Sequence, residues 1–152
     1  MAENLFRAEL DYAHEREGYR RRSARLGPRI GAERIGCSVY ELEPGQRSFP
    51  YHFHYGNEEW LLVVAGAPTL RTPDGERELR KGDLVAFPAG PEGAHAVEIR
   101  SEEPARVAIF STLILPAISV YPDSGKIGVR PGVEEDTLDF RRGDAVDYWE
   151  GE

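Results

Sequence analysis

Polar and apolar residues alternate through the middle of this chain. Over residues 37–43, Tyr40 and Leu42 fall on one face and Glu41 and Glu43 on the other, and a Pro44-Gly45 turn follows. Glu59 to Ala65 reads as a strand ended by Gly66. Thr72-Pro73-Asp74-Gly75 is a turn between Thr69–Arg71 and Arg77–Leu79. Short strands follow at Asp83–Phe87, His95–Arg100 and Arg106–Leu113, with two more at Ile118–Tyr121 and Lys126–Val129. A helical pattern occurs only around Asn4 to Tyr12, where Leu5, Phe6 and Leu10 are apolar. Many short strands and frequent turns indicate a sandwich or barrel rather than alternating β-α units.

Trp60-Leu61-Leu62-Val63-Val64 breaks the alternation, being apolar on both faces. Its outer face needs a cover, either the N-terminal arm or a second subunit, and a homodimer is expected. With 152 residues the chain suits one domain, and 16 Gly and 11 Pro fit a turn-rich fold. Cys37 is the sole cysteine, so no internal disulfide forms. No stretch resembles a signal peptide or a membrane span, and a cytoplasmic protein is expected.

The net charge of −8 is unevenly distributed. Arg16, Arg20, Arg21, Arg22, Arg25 and Arg29 crowd a segment with one acid, Glu17. From Gly132 onward there are eight acids against Arg141 and Arg142. The arginine run is read as a solvated arm, pairing with the acidic tail of its own or a partner chain. No nucleic-acid motif accompanies it, so nucleic acid is not an expected partner.

The chemistry lies in the middle. His52 and His54 are two apart, so on a strand both imidazoles face the same way. A Gly56-Asn57 turn brings Glu59 alongside, on the face of Leu61 and Val63. His95 opens a later strand on the face of Val97 and Ile99. A barrel closing on these strands collects three imidazoles and one carboxylate in an apolar interior. That donor set suits one divalent transition metal ion, with iron, manganese, nickel, zinc and copper not distinguished, and leaves coordination positions open.

These residues also resemble the cupin superfamily. Its first motif reads Gly, about five residues, His-x-His, three or four residues, Glu, six residues, Gly; here Gly45, six residues, His52-Phe53-His54, four residues, Glu59, six residues and Gly66 follow it. The second reads Gly, five residues, Pro-x-Gly, two residues, His, three residues, Asn; here Gly82, five residues, Pro88-Ala89-Gly90, four residues and His95 follow it, with Ile99 at the Asn position. Pro91-Glu92-Gly93-Ala94 reads as a longer loop.

The resemblance implies an all-β jelly-roll (double-stranded β-helix) barrel at 35–121, with a short N-terminal arm at 1–34 and an irregular C-terminal extension at 122–152. It implies a metal held by His52, His54, Glu59 and His95; Glu58, the competing carboxylate, should face away. The function it implies is a metal-binding domain acting on a small oxygen-rich molecule, of dioxygenase, isomerase or lyase type. The alternative is a small-molecule-binding or regulatory module without catalysis.

Other residues are read more plainly. Tyr51, Phe53 and Tyr55 face away from the histidines and pack. Tyr121 to Lys126 is read as a polar turn, with Asp123 or Lys126 as ligand contacts if it closes as a lid. Arg71 and Arg106 would bind an anion only if they point inward. His14 is a surface residue, Cys37 a small buried one, and Tyr148 and Trp149 are expected to dock the acidic tail.

Overall fold

The computed structural model describes all residues, 1–152. Thirteen strands run β1 (Tyr12–His14), β2 (Arg21–Arg25), β3 (Ile35–Leu42), β4 (Phe53–Tyr55), β5 (Glu59–Ala65), β6 (Thr69–Thr72), β7 (Gly75–Glu78), β8 (Leu84–Phe87), β9 (Ala96–Glu98), β10 (Ala105–Thr112), β11 (Ala117–Tyr121), β12 (Lys126–Arg130) and β13 (Leu138–Arg141). One sheet has the order β1-β2-β3-β10-β5-β8. A second layer combines β13-β12-β11-β4 with β7-β6-β9. The paired bridge between His52 and His95 joins those two parts. The architecture is an all-β jelly roll.

Alternation decides what each strand buries. Leu42, Leu61, Val63, Leu70, Phe87, Val97, Ile99 and Val107 point between the layers and form the main core. Ile99, at the position where the motif carries Asn, is fully buried there.

The opposite face of the large sheet has its own core of Ala8, Leu10, Ala24, Leu26, Cys37, Val39, Val64 and Ala108. The N-terminal arm therefore covers much of the outer face of β5. The helix expected around Asn4 to Tyr12 does not form; the chain makes a turn at Leu5–Arg7 and then enters β1. Leu5 and Leu10 are used as plugs on a sheet, which needs no helical period. Arg106 pins the arm, donating to the Phe6 carbonyl at 2.9 Å and pairing with Glu41 at 2.8 Å.

Gly66 ends β5 with φ of 81° and lies so close to β10 that an added Cβ would sit 2.6 Å from the Pro104 carbonyl oxygen. Only glycine meets both demands. Gly45, Gly82 and Gly90, the other motif glycines, likewise have positive φ.

The flanks differ from expectation in detail. The arm contributes β1 and β2 to the large sheet, and the C-terminal segment carries β13 paired with β12. The arm's ion pairs go to its own neighbours, Arg29 with Asp11 and Arg22 with Glu41, and not to the acidic tail. Tyr148 and Trp149 do not dock that tail; they remain 83% and 72% exposed and touch each other.

Candidate metal centre

His52, His54, Glu59 and His95 come together between the layers. His54 lies on β4, Glu59 begins β5, and His52 and His95 face each other through a reciprocal pair of backbone hydrogen bonds of 3.1 and 2.9 Å. The loop Pro91-Glu92-Gly93-Ala94 forms one turn of 3-10 helix over Pro91–Gly93 that delivers His95. Glu59 Oε2 lies 3.1 Å from His54 Nε2 and 3.3 Å from His95 Nε2. The ligand atoms of His52, His54 and Glu59 lie within 4.8 Å of one another, so this group could hold an ion. Glu58 lies on the opposite face, where it accepts from the Trp60 indole at 2.7 Å.

All three rings are tied down at Nδ1. His52 Nδ1 meets the Pro50 carbonyl at 2.8 Å, His95 Nδ1 the Gly93 carbonyl at 2.9 Å, and His54 Nδ1 the Ser119 hydroxyl at 3.0 Å. A carbonyl only accepts, so Nδ1 of His52 and His95 carries a proton, and in the neutral form of each ring the bare nitrogen is Nε2. His54 Nε2 is buried and has no well-directed hydrogen-bond partner despite its nearness to Glu59. His95 Nε2 and Glu59 Oε2, 3.3 Å apart, attract each other only when a proton or a metal cation lies between them. Ligands about 2.1 Å from an ion at right angles are about 3 Å apart, close to these separations.

The site's electrostatics follow from burial. His52 is 7% exposed; burial first, then the neighbouring His95 and His54, lower its pKa to about 4. Burial alone would raise Glu59, but the two imidazoles beside it outweigh that and hold its carboxyl well below the usual range. The neutral His52 imidazole and the ionised Glu59 carboxylate are in the protonation states that metal ligation needs.

The supporting shell is aromatic. Phe87 lies flat on His95 with ring centroids 3.7 Å apart, and Tyr121 stacks on His52 at 5.8 Å. Phe49 contacts the edge of His52 at 6.1 Å and of Tyr40 at 5.3 Å. Burial raises the hydroxyls of Tyr40 and Tyr121 above the ordinary phenol range, so both stay protonated. Ser119 and Phe49 have no role in the reading of the sequence, and Tyr121 enters it only as the start of the polar turn. A signal existed for Ser119 and Tyr121, because Ile118 and Val120 fix the alternation of β11 and leave those two on the other face. Asn57 was also missed as a clamp. Its side chain accepts from the Ile114 amide at 2.8 Å, donates to the Ile114 carbonyl at 3.0 Å and accepts from Thr112 at 3.0 Å. It ties the turn before Glu59 to the end of β10.

Several residues stand elsewhere. Phe53 is buried against Ala94 and Val120, Tyr51 lies under Arg71, and Tyr55 is half exposed. Arg71 pairs with Asp123 at 2.6 Å on the outer surface, and Lys126 sits over the Tyr121 ring at 4.8 Å. Neither Arg71 nor Arg106 points inward; both are consumed by carboxylates.

Residues 38–113 match the family model described as Cupin domain. The chain belongs to the cupin family. No curated protein matches it. Among solved structures, a protein from Silicibacter pomeroyi described as a sugar phosphate isomerase from a cupin superfamily is 25% identical, with a TM-score of 0.83 and 95% of each chain covered. A protein from Acidithiobacillus ferrooxidans, provisionally assigned as a sugar phosphate isomerase, is 25% identical, with a TM-score of 0.77 over 86% of this chain and 81% of that one. A polyketide cyclase from Streptomyces resistomycificus is 21% identical, with a TM-score of 0.60 over 77% of this chain and 84% of that one, and shares the fold. No helix of this cupin is long and apolar enough to cross a membrane.

Proposed function

We propose that this cupin is a metal-dependent isomerase of a small oxygen-rich molecule, with one divalent transition metal held by His52, His54, Glu59 and His95. The observation that carries the reading is the set of Nε2 atoms freed by protein contacts at Nδ1 and turned toward one carboxylate. Isomerase is favoured over dioxygenase and lyase because the S. pomeroyi protein so described matches along nearly the whole of both chains.

A bound ion there would supply Lewis-acid polarisation of a substrate oxygen. The chain's own residues do the rest. Carbonyl and hydroxyl contacts fix the imidazole tautomers and planes. Phe87 and Tyr121 restrict ring rotation and narrow water's access. The Tyr40 and Tyr121 hydroxyls provide neutral hydrogen-bond donors beside the site.

Elemental analysis should find about one transition metal per chain, and His54→Ala should lose it, because one of four ligands goes. Aldose–ketose interconversion of sugar phosphates should accompany the metal and disappear with it. Unchanged metal content in the His52→Ala/His54→Ala variant would refute the site. Saturable ligand binding without turnover would favour the non-catalytic module.

A homodimer goes with this reading. Ile35, Trp60, Leu84 and Phe110 line an open groove of about 470 Å³ on the part of the outer sheet face that the arm leaves bare. A partner copy would cover it, and Trp60→Glu should then yield monomers in light scattering; a monomeric wild type at micromolar concentration would refute the dimer. A cytoplasmic location fits the single buried thiol, Cys37.

A further inference from the structure

Five arginines of this chain are half-buried: Arg21, Arg29, Arg71, Arg106 and Arg130. Four are neutralised by carboxylates, Arg29 by Asp11, Arg71 by Asp123, Arg106 by Glu41 and Arg130 by Asp139, at 2.6 to 2.8 Å. Arg21 is the exception. It makes one 3.3 Å bond to the Tyr19 carbonyl, its Nε is buried with no partner, and its guanidinium lies 4.3 Å above the Phe49 ring. A cation taken from water without an anion is a standing cost. Burial accordingly lowers its pKa from the ordinary arginine value.

The strand register shows where this cation faces. On β2, Ser23 pairs with Tyr40 and Arg25 with Ser38, while Arg22 pairs with Glu41 and Ala24 with Val39. Tyr40 packs on the main core and Val39 on the outer one. Residues paired across strands share a face, and alternation puts Arg21 with Ser23 and Arg25. Arg21 and Arg25 therefore lie on the sheet face that carries the metal-site side chains, and Arg22 lies on the outer face. Phe49, beneath Arg21, is also the ring that touches His52. The Tyr40 hydroxyl feels the charges of Glu59, Arg21 and Arg25 together.

We propose that Arg21 is the anion-binding residue of this site, holding the phosphate of a phosphorylated sugar, with Arg25 adding charge at the rim. The substrate's phosphate would supply the partner that the other four half-buried arginines find within the chain. A guanidinium presents parallel N–H donors to two phosphate oxygens, and no carboxylate of this chain pairs with that of Arg21. This deepens the isomerase reading by assigning the residue that holds the substrate's phosphate, and rests on that reading for the sugar part only. It also gives the basic arm a role: one strand of it delivers a cation to the inner face of the sheet, while its neighbour Arg22 serves the outer face.

The test is calorimetric titration of the full-length, metal-loaded protein at about 0.15 M salt, with glucose 6-phosphate, glucose and inorganic phosphate as probes. Wild type should bind both phosphates, and glucose at least about tenfold more weakly. Arg21→Gln should weaken both phosphates by about tenfold or more with metal content unchanged. Arg21→Lys, which keeps the charge but not the fork, should fall between and guards against a folding defect. Arg22→Gln should match wild type. The proposal is overturned if wild type binds no phosphate, if Arg21→Gln binds it as tightly as wild type, or if Arg22→Gln weakens it equally. A protein that holds no metal yet binds phosphate through Arg21 would refute the isomerase reading while leaving the anion site standing.

Discussion

Acidifying the metal-free protein forces a charge onto a ring that the fold keeps neutral. His52 is buried, and burial together with His95 and His54 lowers its pKa from the ordinary 6.5 to about 4. Between those values the unfolded chain binds a proton that the folded chain refuses. Stability from this group is therefore complete above about pH 6.5, falls as pH drops, and is lost below about pH 4. One pKa unit corresponds to about 1.4 kcal/mol, so the whole window is worth about 3 kcal/mol and the part from pH 6.5 to 5 about 2 kcal/mol. Glu59 acts in the same direction but at lower pH, since its depressed carboxyl costs stability only once unfolded carboxylates begin to protonate.

Working above about pH 5 therefore sets the carboxylates aside, and comparison with a variant that does not titrate at position 52 isolates this imidazole. Urea unfolding in the presence of a chelator, at half-unit steps from about pH 7 to 5, gives the free energy at each point. Wild type should lose about 2 kcal/mol over that range. His52→Asn, which can keep a donor near the Pro50 carbonyl but does not titrate, should lose less than about 0.5 kcal/mol. Parallel curves for the two proteins would refute the claim that His52 is held neutral by the fold.

Three further outcomes follow from single contacts. Gly66→Ala meets both a positive φ and the Pro104 carbonyl, so urea unfolding should show a loss of about 2–4 kcal/mol; a loss under about 1 kcal/mol would contradict the packing of β5 on β10. Ser119→Ala removes the hydroxyl at His54 Nδ1 and should weaken metal affinity about tenfold in a competition titration with a chromogenic chelator, with little change in metal-free stability; equal affinity would show that the ring needs no such support. Asn57→Ala strands the backbone groups of Ile114 and should cost about 2–4 kcal/mol in urea unfolding; a neutral result would mean that water replaces the clamp at no cost.

The sequence exposes those parts of this molecule that obey a period. The strand Glu59–Ala65 has the bounds read from the sequence, and the hairpin through Pro73-Asp74-Gly75 forms with its strands shifted to Thr69–Thr72 and Gly75–Glu78. The meeting of His52, His54, Glu59 and His95 was legible because a strand's two-residue period puts His52 with His54, and the cupin spacing adds Glu59 and His95. The arm was misread where Leu5, Phe6 and Leu10 mimic a helical stripe: apolar residues there plug a sheet, and only the sheet's presence tells the two apart. The two-residue insertion before His95 looked like slack in the motif, yet its Gly93 carbonyl sets the ring's tautomer.

The arginine run shows the limit most clearly. As a composition it reads as one basic patch, but a strand has two faces, and pairing divides the run between them. Arg22 meets Glu41 outside, whereas Arg21, one residue earlier, turns toward Tyr40 and the histidines. The difference is invisible until β2 is registered against β3, because a slip of one residue would exchange the two. A site built on such a register depends on whatever fixes it. Here Ala24 and Leu26, nearly fully buried in the outer core, lock β2 in place, and they thereby decide which arginine faces the metal-site side chains.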